Sequence, residues 1–335
     1  MRFYFFLFSI FYFNLFSSQA QLLKPNVKWF GNEPYFNSEV IKANKIKLIK
    51  VEFLTKPDNE KMAYRNDLVF HEFDELGNLM FQYTVYKRAE NKADTFVTAF
   101  EYYPDGNVMV KRSSDKFGYY SYNYAYDEVG NIIKEIYSRD INSNYSPFNF
   151  KLEKQYPIGE EKFDIKILTP TQYKQTLKNN LGYAYKEIIV NLNEKKKPIE
   201  EFGRYLVSGK IEKKTFEYNG KNQLIKFIDF KNVEAEYEKV VEYSYDKFDN
   251  YLEMKTYVNK EFIERSEFLN DSITGITNDI ITRNEKHKKI DIVRFSYEYH
   301  PKPGEPIKTL LVDSVITTSK PKPTMSKPKR KKSRR

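Results

Sequence analysis

Alternation of aromatic and polar residues with a period of two dominates this chain. Tyr120, Tyr122, Tyr124 and Tyr126 occupy every second position of one stretch, so a strand would place all four on one face. The same alternation recurs in Val69–Phe73, Phe216–Tyr218, Val241–Tyr245 and Val293–Tyr299. Aromatic and β-branched residues in this pattern predict half-buried antiparallel strands.

A short turn motif returns between these strands. Its clearest copies are Phe73-Asp74-Glu75-Leu76-Gly77-Asn78-Leu79 and Tyr126-Asp127-Glu128-Val129-Gly130-Asn131-Ile132, and looser copies begin at Tyr103, Tyr218 and Tyr245. In each copy an aromatic residue closes one strand and an apolar residue opens the next. Asn and Gly supply the positive φ that tight hairpins need. The predicted turn residues are Asp74, Gly77, Asn78, Asp105, Gly106, Asn107, Asp127, Gly130, Asn131, Asn219, Gly220, Asp246 and Asn250.

The spacing of the motif predicts the fold class. With a weaker copy at Val190 included, the motif starts lie 30, 23, 64, 28 and 27 residues apart. The shorter steps fit one hairpin each, and the longest marks an insertion. We expect an all-β protein of serial antiparallel hairpins, forming a long twisted meander that is curved or partly closed, with at most one short helix.

The chain divides into five predicted parts. These are a signal peptide (1–20), an N-terminal segment with a first run of hairpins (21–140), an insertion (141–182), a second run of hairpins (183–313) and a disordered tail (314–335). The one expected helix lies in the insertion, at 170–181. Thr169 is its candidate cap, Pro170 suits its first turn and Gly182 suits its exit.

The N-terminus predicts export. Met1-Arg2 precedes an apolar run from Phe3 to Phe16, and the small-x-small site Ser18-Gln19-Ala20 precedes Gln21. This pattern indicates a signal peptide cleaved between Ala20 and Gln21, because a membrane span needs about 20 apolar residues. An uncleaved anchor is the alternative. The chain has no cysteine, which excludes disulfides, thiolate catalysis and cysteine-ligated metals, so its core alone must hold it together.

The formal net charge of +10 comes from the two ends. Removing the nine cations that follow position 319, and Arg2, leaves a body near neutrality, so no nucleic-acid partner is expected. The densest part of the tail consists of Lys327, Lys329, Arg330, Lys331, Lys332, Arg334 and Arg335. Such a tail suits contact with an anionic surface or partner. A solubilising tail is the alternative, and the predicted signal peptide disfavours a nuclear-localisation role.

At the turn motif the chain resembles the YD-repeat, or Rhs-repeat, family, in which Tyr-Asp-x-x-Gly-Asn/Arg-Leu elements separate strands. The best matches are the copies that begin at Phe73 and Tyr126, and the resemblance spans about 70 to 270. In large members of the family the repeats enclose a toxin in a hollow β-shell. Here the copies are few, their spacing is irregular and no C-terminal toxin domain is expected. The resemblance implies a short exported protein and carries over no catalytic residues.

Few residues suggest catalysis, a metal site or a cofactor. His71, His287 and His300 are the only histidines, and none are at metal-ligand spacing. Paired acids occur in turns, as in Asp74-Glu75, without a calcium-loop pattern. No nucleophile elbow or phosphate loop occurs. The sequence therefore predicts no catalytic residue, no cofactor and no metal. The tyrosine stripes have two interpretations, a buried core face or a platform for glycan or protein.

The leading functional hypothesis is a non-catalytic binding or scaffold protein of a bacterial cell envelope. It would be periplasmic or associated with the outer membrane, rather than released. Its expected partner is a protein or an anionic envelope component, with peripheral membrane contact through the tail and no membrane span in the mature chain. The alternatives are an enzyme acting on envelope polysaccharide through turn carboxylates, and a toxin-associated YD-repeat protein.

Overall fold

The computed structural model describes residues 21–25, 33–87, 93–115, 118–144, 148–232 and 237–301. The predicted signal peptide, with Ala20 at its cleavage site, and the basic tail lie outside these residues and stay predictions. The described residues form one short helix, α1 (Ser38–Ala43), and 18 strands. The strands are β1 (Ile46–Pro57), β2 (Ala63–Phe73), β3 (Leu79–Lys87), β4 (Ala93–Tyr102), β5 (Val108–Asp115), β6 (Gly118–Tyr126), β7 (Ile132–Asn142), β8 (Leu152–Thr169), β9 (Gln172–Lys178), β10 (Ala184–Leu192), β11 (Pro198–Tyr205), β12 (Ile211–Tyr218), β13 (Leu224–Asn232), β14 (Tyr237–Tyr245), β15 (Tyr251–Val258), β16 (Glu261–Asn270), β17 (Thr277–Asn284) and β18 (Lys289–Tyr299).

The sheet is antiparallel throughout and closes on itself. Each strand pairs with the next along the chain, and β1 also pairs with β18, in a register that runs from Ile46 opposite Tyr299 to Pro57 opposite Lys289. The prediction of an all-β fold of serial antiparallel hairpins with one short helix is confirmed. The prediction of a long twisted meander that is curved or only partly closed is wrong in its closure, because the first and last strands pair with each other and close the sheet.

The prediction of a helix at 170–181 is wrong. The segment forms strand β9, in which Tyr173 pairs with Ile167 on one side and Val190 on the other. Tyr173 and Leu177 are four residues apart, a spacing that fits a strand face as well as a helix face. Gly182 is a turn residue with φ +84° rather than a helix exit. The observed helix is α1, which Asn37 caps by accepting a hydrogen bond from the Glu39 amide. No helix in the described ranges is long and apolar enough to cross a membrane.

The predicted turns lie at one end of the sheet, because all of them follow even-numbered strands. In the turn from Asp74 to Asn78, one carboxylate oxygen of Asp74 accepts hydrogen bonds from the amides of Leu76 and Asn78 at 2.9 and 2.8 Å. Asp127 makes the same pair of bonds in its turn. The fourth residue of each turn is left-handed, and these residues are Gly77, Gly106, Gly130, Lys196, Asn222 and Asp249. The turn that begins at Asn219 thus uses Asn222, not Gly220, as its left-handed residue.

The tyrosine that precedes a turn also ties neighbouring hairpins together. Tyr126, at the end of β6, donates its hydroxyl hydrogen bond to the Val108 carbonyl at 2.9 Å, and Val108 is the first residue of the adjacent strand β5. Tyr102, Tyr218, Tyr245 and Tyr297 make the equivalent bond to Leu79, Pro198, Leu224 and Thr277. Each of these acceptors opens an odd-numbered strand. The recurring tyrosine therefore fixes the spacing of successive turns while its ring stays on the inner face.

The N-terminal plug, which we define as the described residues 21–25 and 33–44, fills the same end of the closed sheet. Its side chains Leu22, Leu23, Tyr35 and Ile41 are buried. They pack against inner-face residues of strands β1 to β4 and β15 to β18, including Ile49, Val51, Val69, Phe100, Phe268, Ile280 and Phe295. The plug and these strands form the main hydrophobic core. Much of the inner face of β6 to β12 is only half-buried.

Residues 148–150 cover part of the outer face. Phe148 packs against Tyr83 with ring centroids 5.1 Å apart, and Phe150 lies over the Arg112 guanidinium at 4.2 Å. Beneath Phe150, Arg112 donates to the buried carboxylate of Asp140 at 2.8 Å. This ion pair is fully engaged, because Asp140 also accepts from Ser121 and Gln155. Arg112 also contacts the more exposed Glu101 at 2.7 Å. All of these partners lie on strands β4 to β8, so the ion pair stabilises the sheet.

Candidate functional site

A cavity of about 430 Å³ lies on the inner face, away from the plug core. The register shows which way its walls point. Phe100 of the core is directly opposite Lys111, which is opposite Tyr122, which is opposite Tyr137. Directly paired residues share one face of a sheet, so the rings of Tyr122 and Tyr137 point inward. We call this space the tyrosine–glutamate cavity; its lining includes Tyr122, Glu135, Tyr137, Gly159, Glu161 and Asn179.

Tyrosine rings form one wall of the cavity. Tyr137 lies 4.9 Å from Tyr122 and 5.7 Å from Tyr120, between ring centroids, and it is nearly parallel to Tyr120. Both neighbours come from β6. On the β8 side the residue opposite Tyr137 is Gly159, and a Cβ built there would meet no atom within 4 Å. The cavity thus extends along the β8 side of the Tyr137 ring.

Two glutamates stand side by side on the adjacent wall. Glu135 of β7 is directly opposite Glu161 of β8, and Tyr185 donates a hydrogen bond to Glu161 at 2.7 Å. Burial, followed by repulsion from Glu161, raises the pKa of Glu135, against opposing effects of Lys111 and of a hydrogen bond from Tyr124. Burial and the bond to Glu161 raise the pKa of Tyr185. Glu135 therefore holds a proton to a higher pH than an ordinary glutamate.

An ion pair joins the plug to the sheet wall beside this cavity. Lys111 contacts Glu33 of the plug, and its ammonium group lies 4.9 Å from the centroid of the Tyr122 ring. The Lys111 side chain is only 9% exposed, so its charge is held by Glu33 and the ring rather than by water. The tyrosine–glutamate cavity is thus acidic, with Lys111 as a nearby cation.

A larger inner cavity, of about 670 Å³, lies at the end opposite the plug. It is lined by Phe53, Tyr86 and two ion pairs. Arg65 contacts Asp67 at 2.6 Å, and Lys289 contacts Asp291 at 2.7 Å. These charges satisfy one another, so this cavity presents no charged group that requires a ligand. The tyrosine–glutamate cavity is the better candidate site.

The sequence pointed to other residues. The predicted turn residues form turns at the plug end, which does not bring them into either cavity. His71 is fully buried against Tyr35 of the plug, and within the described ranges no three His, Asp or Glu side chains group as metal ligands. Tyr122 was recognised in its stripe. Glu135, Glu161 and Gly159 were missed, since only the register of β7 and β8 brings them together.

Comparisons with known proteins assign no family. No family model and no curated protein matches the sequence. Among solved structures, a porin-like protein from Bacteroides uniformis is 11% identical with a TM-score of 0.37, over 76% of this chain and 98% of its own. A TcdB2-TccC3-Cdc42 structure is 9% identical with a TM-score of 0.28, over 69% of this chain and 15% of its own. A DUF1329 family protein from Desulfovibrio piger is 10% identical with a TM-score of 0.20, over 78% of this chain and 89% of its own. Likenesses this weak carry no functional argument.

Proposed function

We propose that this chain is an exported, non-catalytic binding protein of a bacterial cell envelope, and that it takes its ligand into the tyrosine–glutamate cavity. The observation that carries the proposal is the pairing of Tyr137 with Gly159, which keeps a tyrosine-lined space open inside the closed sheet. Ligand cavities typically measure about 300–1,000 Å³ and combine apolar walls with a few polar groups. The N-terminal sequence pattern supports export to the periplasm or to the outer membrane.

We also propose that the repeated turn motif of this chain is related to the YD-repeat element. In support of it, the tyrosine before the Asp127 turn and the Asp carboxylate each have a repeated structural task, in tying hairpins and in closing turns. Both tasks concern the fold. The family element thus accounts for the scaffold, and the cavity arises from residues between the repeats.

Filling the cavity should abolish ligand retention. Gly159→Leu adds a side chain beside Tyr137 without requiring an unusual backbone, because Gly159 is not left-handed. After incubation with envelope extract and desalting, native mass spectrometry should show an added mass on the wild-type protein and none on Gly159→Leu. The matched control is Gly220→Leu, a glycine at the plug end that also has open space around it, and it should retain the mass. Equal added masses on all three proteins would place the ligand elsewhere and contradict the proposal.

An enzyme acting on envelope polysaccharide is the second candidate. Its specific support is the Glu135–Glu161 pair, since directly opposed residues have Cβ atoms about 4.5–5.5 Å apart and retaining glycosidases place two carboxyl groups about 5–5.5 Å apart. Release of new reducing ends from an oligosaccharide, abolished by Glu135→Gln, would favour the enzyme over the binding protein.

The basic tail is proposed to add an electrostatic contact with an anionic surface. Each cation near an anionic membrane contributes roughly 1 kcal/mol, so deleting 320–335 should weaken binding to phosphatidylglycerol-containing vesicles at least tenfold. Vesicle cosedimentation across a salt series measures this, and binding of the full chain should fall as salt rises. A tail of equal length with every Lys and Arg replaced by Gln separates charge from length. Equal binding by the deleted and full-length chains would refute the contact.

A further inference from the structure

We propose that the ligand of the tyrosine–glutamate cavity is a saccharide, with one sugar ring lying along Tyr137. This inference deepens the proposed function and rests on it. Its starting point is the placement of an aromatic ring beside carboxylates and amides in one cavity, since a sugar presents apolar C–H groups on its faces and hydroxyls around its edge.

The aromatic wall suits the face of a sugar ring. Tyr120 and Tyr122 pack against Tyr137 from β6 and hold its ring in place. Gly159 contributes no side chain on the other flank. The Gly159 backbone lies outside the left-handed region, so a glycine is not required there for conformational reasons. What the glycine provides is space, because it has no side chain. The result is a rigid aromatic surface with an adjoining gap.

The polar wall suits the edge of a sugar ring. Glu135 and Glu161 point from neighbouring strands to the same side as Tyr137, and Asn179 and Asn180 also line the cavity. Carboxylates accept hydrogen bonds and amide nitrogens donate them, which matches hydroxyl groups that do both. The Asn179 side-chain oxygen already accepts from the amides of Leu181 and Tyr183, so Asn179 offers its Nδ2 as a donor. The raised pKa of Glu135 adds a carboxyl that can also donate when it is protonated.

Other ligand classes fit this wall less well. A purely apolar ligand would take Glu135 and Glu161 out of water without giving them new hydrogen bonds, which is costly. A simple cation would pair with the glutamates but would leave the gap between Gly159 and Tyr137 unfilled. A sugar uses the aromatic surface, the gap and the carboxylates together.

Titration calorimetry with defined probes tests the inference. The probes are tetrasaccharides of glucose, N-acetylglucosamine and mannose, with spermidine as a cationic probe. At least one tetrasaccharide should bind the wild-type protein and be recovered intact. Gly159→Leu and Tyr137→Ala should each weaken its binding at least tenfold. Two controls, Gly220→Leu and Tyr64→Ala, should bind within twofold of wild type, since Tyr64 is an exposed tyrosine of β2 outside the cavity.

The outcomes separate this inference from the proposed function. No binding of any tetrasaccharide at millimolar concentration, or binding of spermidine alone, overturns the saccharide. If the wild-type protein nevertheless retains a mass from envelope extract that Gly159→Leu lacks, the binding function stands with another ligand class. If it retains no mass either, the proposed function fails as well. Thermal melts of Gly159→Leu and Tyr137→Ala establish that each is folded, and either folded variant suffices for the test.

Discussion

Replacing Gly77 with alanine is expected to lower the free energy of unfolding by about 3 kcal/mol, against about 1 kcal/mol for the same change at Gly130. The two glycines occupy the same position of the same turn, with φ of +85° and +86°, so the backbone cost of a side chain is common to both. Only Gly77 lies against the plug. A Cβ there would overlap the Ser38 carbonyl oxygen and lie 3.0 Å from the Lys42 amide nitrogen, both in α1.

Urea denaturation of the two variants measures the difference. Gly130→Ala is the matched control, because the nearest atom to its new Cβ is an Asn107 side-chain nitrogen at 3.8 Å. Hydrogen exchange gives a local readout. The amides of Ile41 and Asn44, which bond to Asn37 and Val40, should exchange faster in Gly77→Ala than in Gly130→Ala. Equal destabilisation and equal exchange would mean that α1 does not depend on the turn.

Local chemistry in the sequence predicts the strands and turns well. Asp74 and Asp127 form their turns through bonds to amides two and four residues ahead, so everything that these turns need lies within five residues. Closure of the sheet depends instead on the pairing of Ile46–Pro57 with Lys289–Tyr299. No local sequence pattern indicates that pairing, because the sequence of either strand would be equally suitable for a strand at an open edge of the sheet.

The candidate site was predictable only in part, for the same reason. Alternation placed Tyr122 on an aromatic face, which follows from local sequence. The approach of Glu135 to Glu161 depends on the register between β7 and β8, and an irregularity at Tyr137–Ser138 shifts that register. The tyrosines of the stripe also have different roles. Tyr126 links neighbouring hairpins, whereas Tyr122 lines the cavity. One period-two pattern therefore covers both a structural and a candidate binding role.

The buried contact between Tyr35 and His71 is expected to make the fold sensitive to acid. The Tyr35 hydroxyl and the His71 Nε2 share a hydrogen bond of 2.7 Å, and both side chains are completely buried. Burial lowers the pKa of His71 from 6.5 to about 3, against an opposing effect of the Ile49 backbone. Folded His71 is therefore neutral at pH 7, and so is Tyr35, whose pKa burial raises.

The sign of the effect follows from this lowered pKa. The unfolded chain protonates His71 near pH 6.5, while the folded chain resists protonation until about pH 3. The contribution to stability is complete above pH 6.5 and is lost as the pH falls from there towards 3, at about 1.4 kcal/mol per pH unit. Between pH 6.5 and 4.5 the loss from this residue alone should be about 2 kcal/mol, because the unfolded chain is already half protonated at pH 6.5.

A double variant separates the contribution of His71 to acid sensitivity from that of the titrating carboxylates. Tyr35→Phe with His71→Phe removes both polar groups and keeps aromatic volume against Phe36, whose ring centroid is 4.9 Å from that of His71. Replacing both partners of a buried hydrogen bond by apolar groups is nearly neutral, so the double variant should fold at pH 7. Urea denaturation from pH 7 to pH 4.5 should show a smaller loss of stability in the double variant than in the wild type. Parallel curves would show that His71 is not buried as a neutral group, and the plug would then have no acid-sensitive contact with β2.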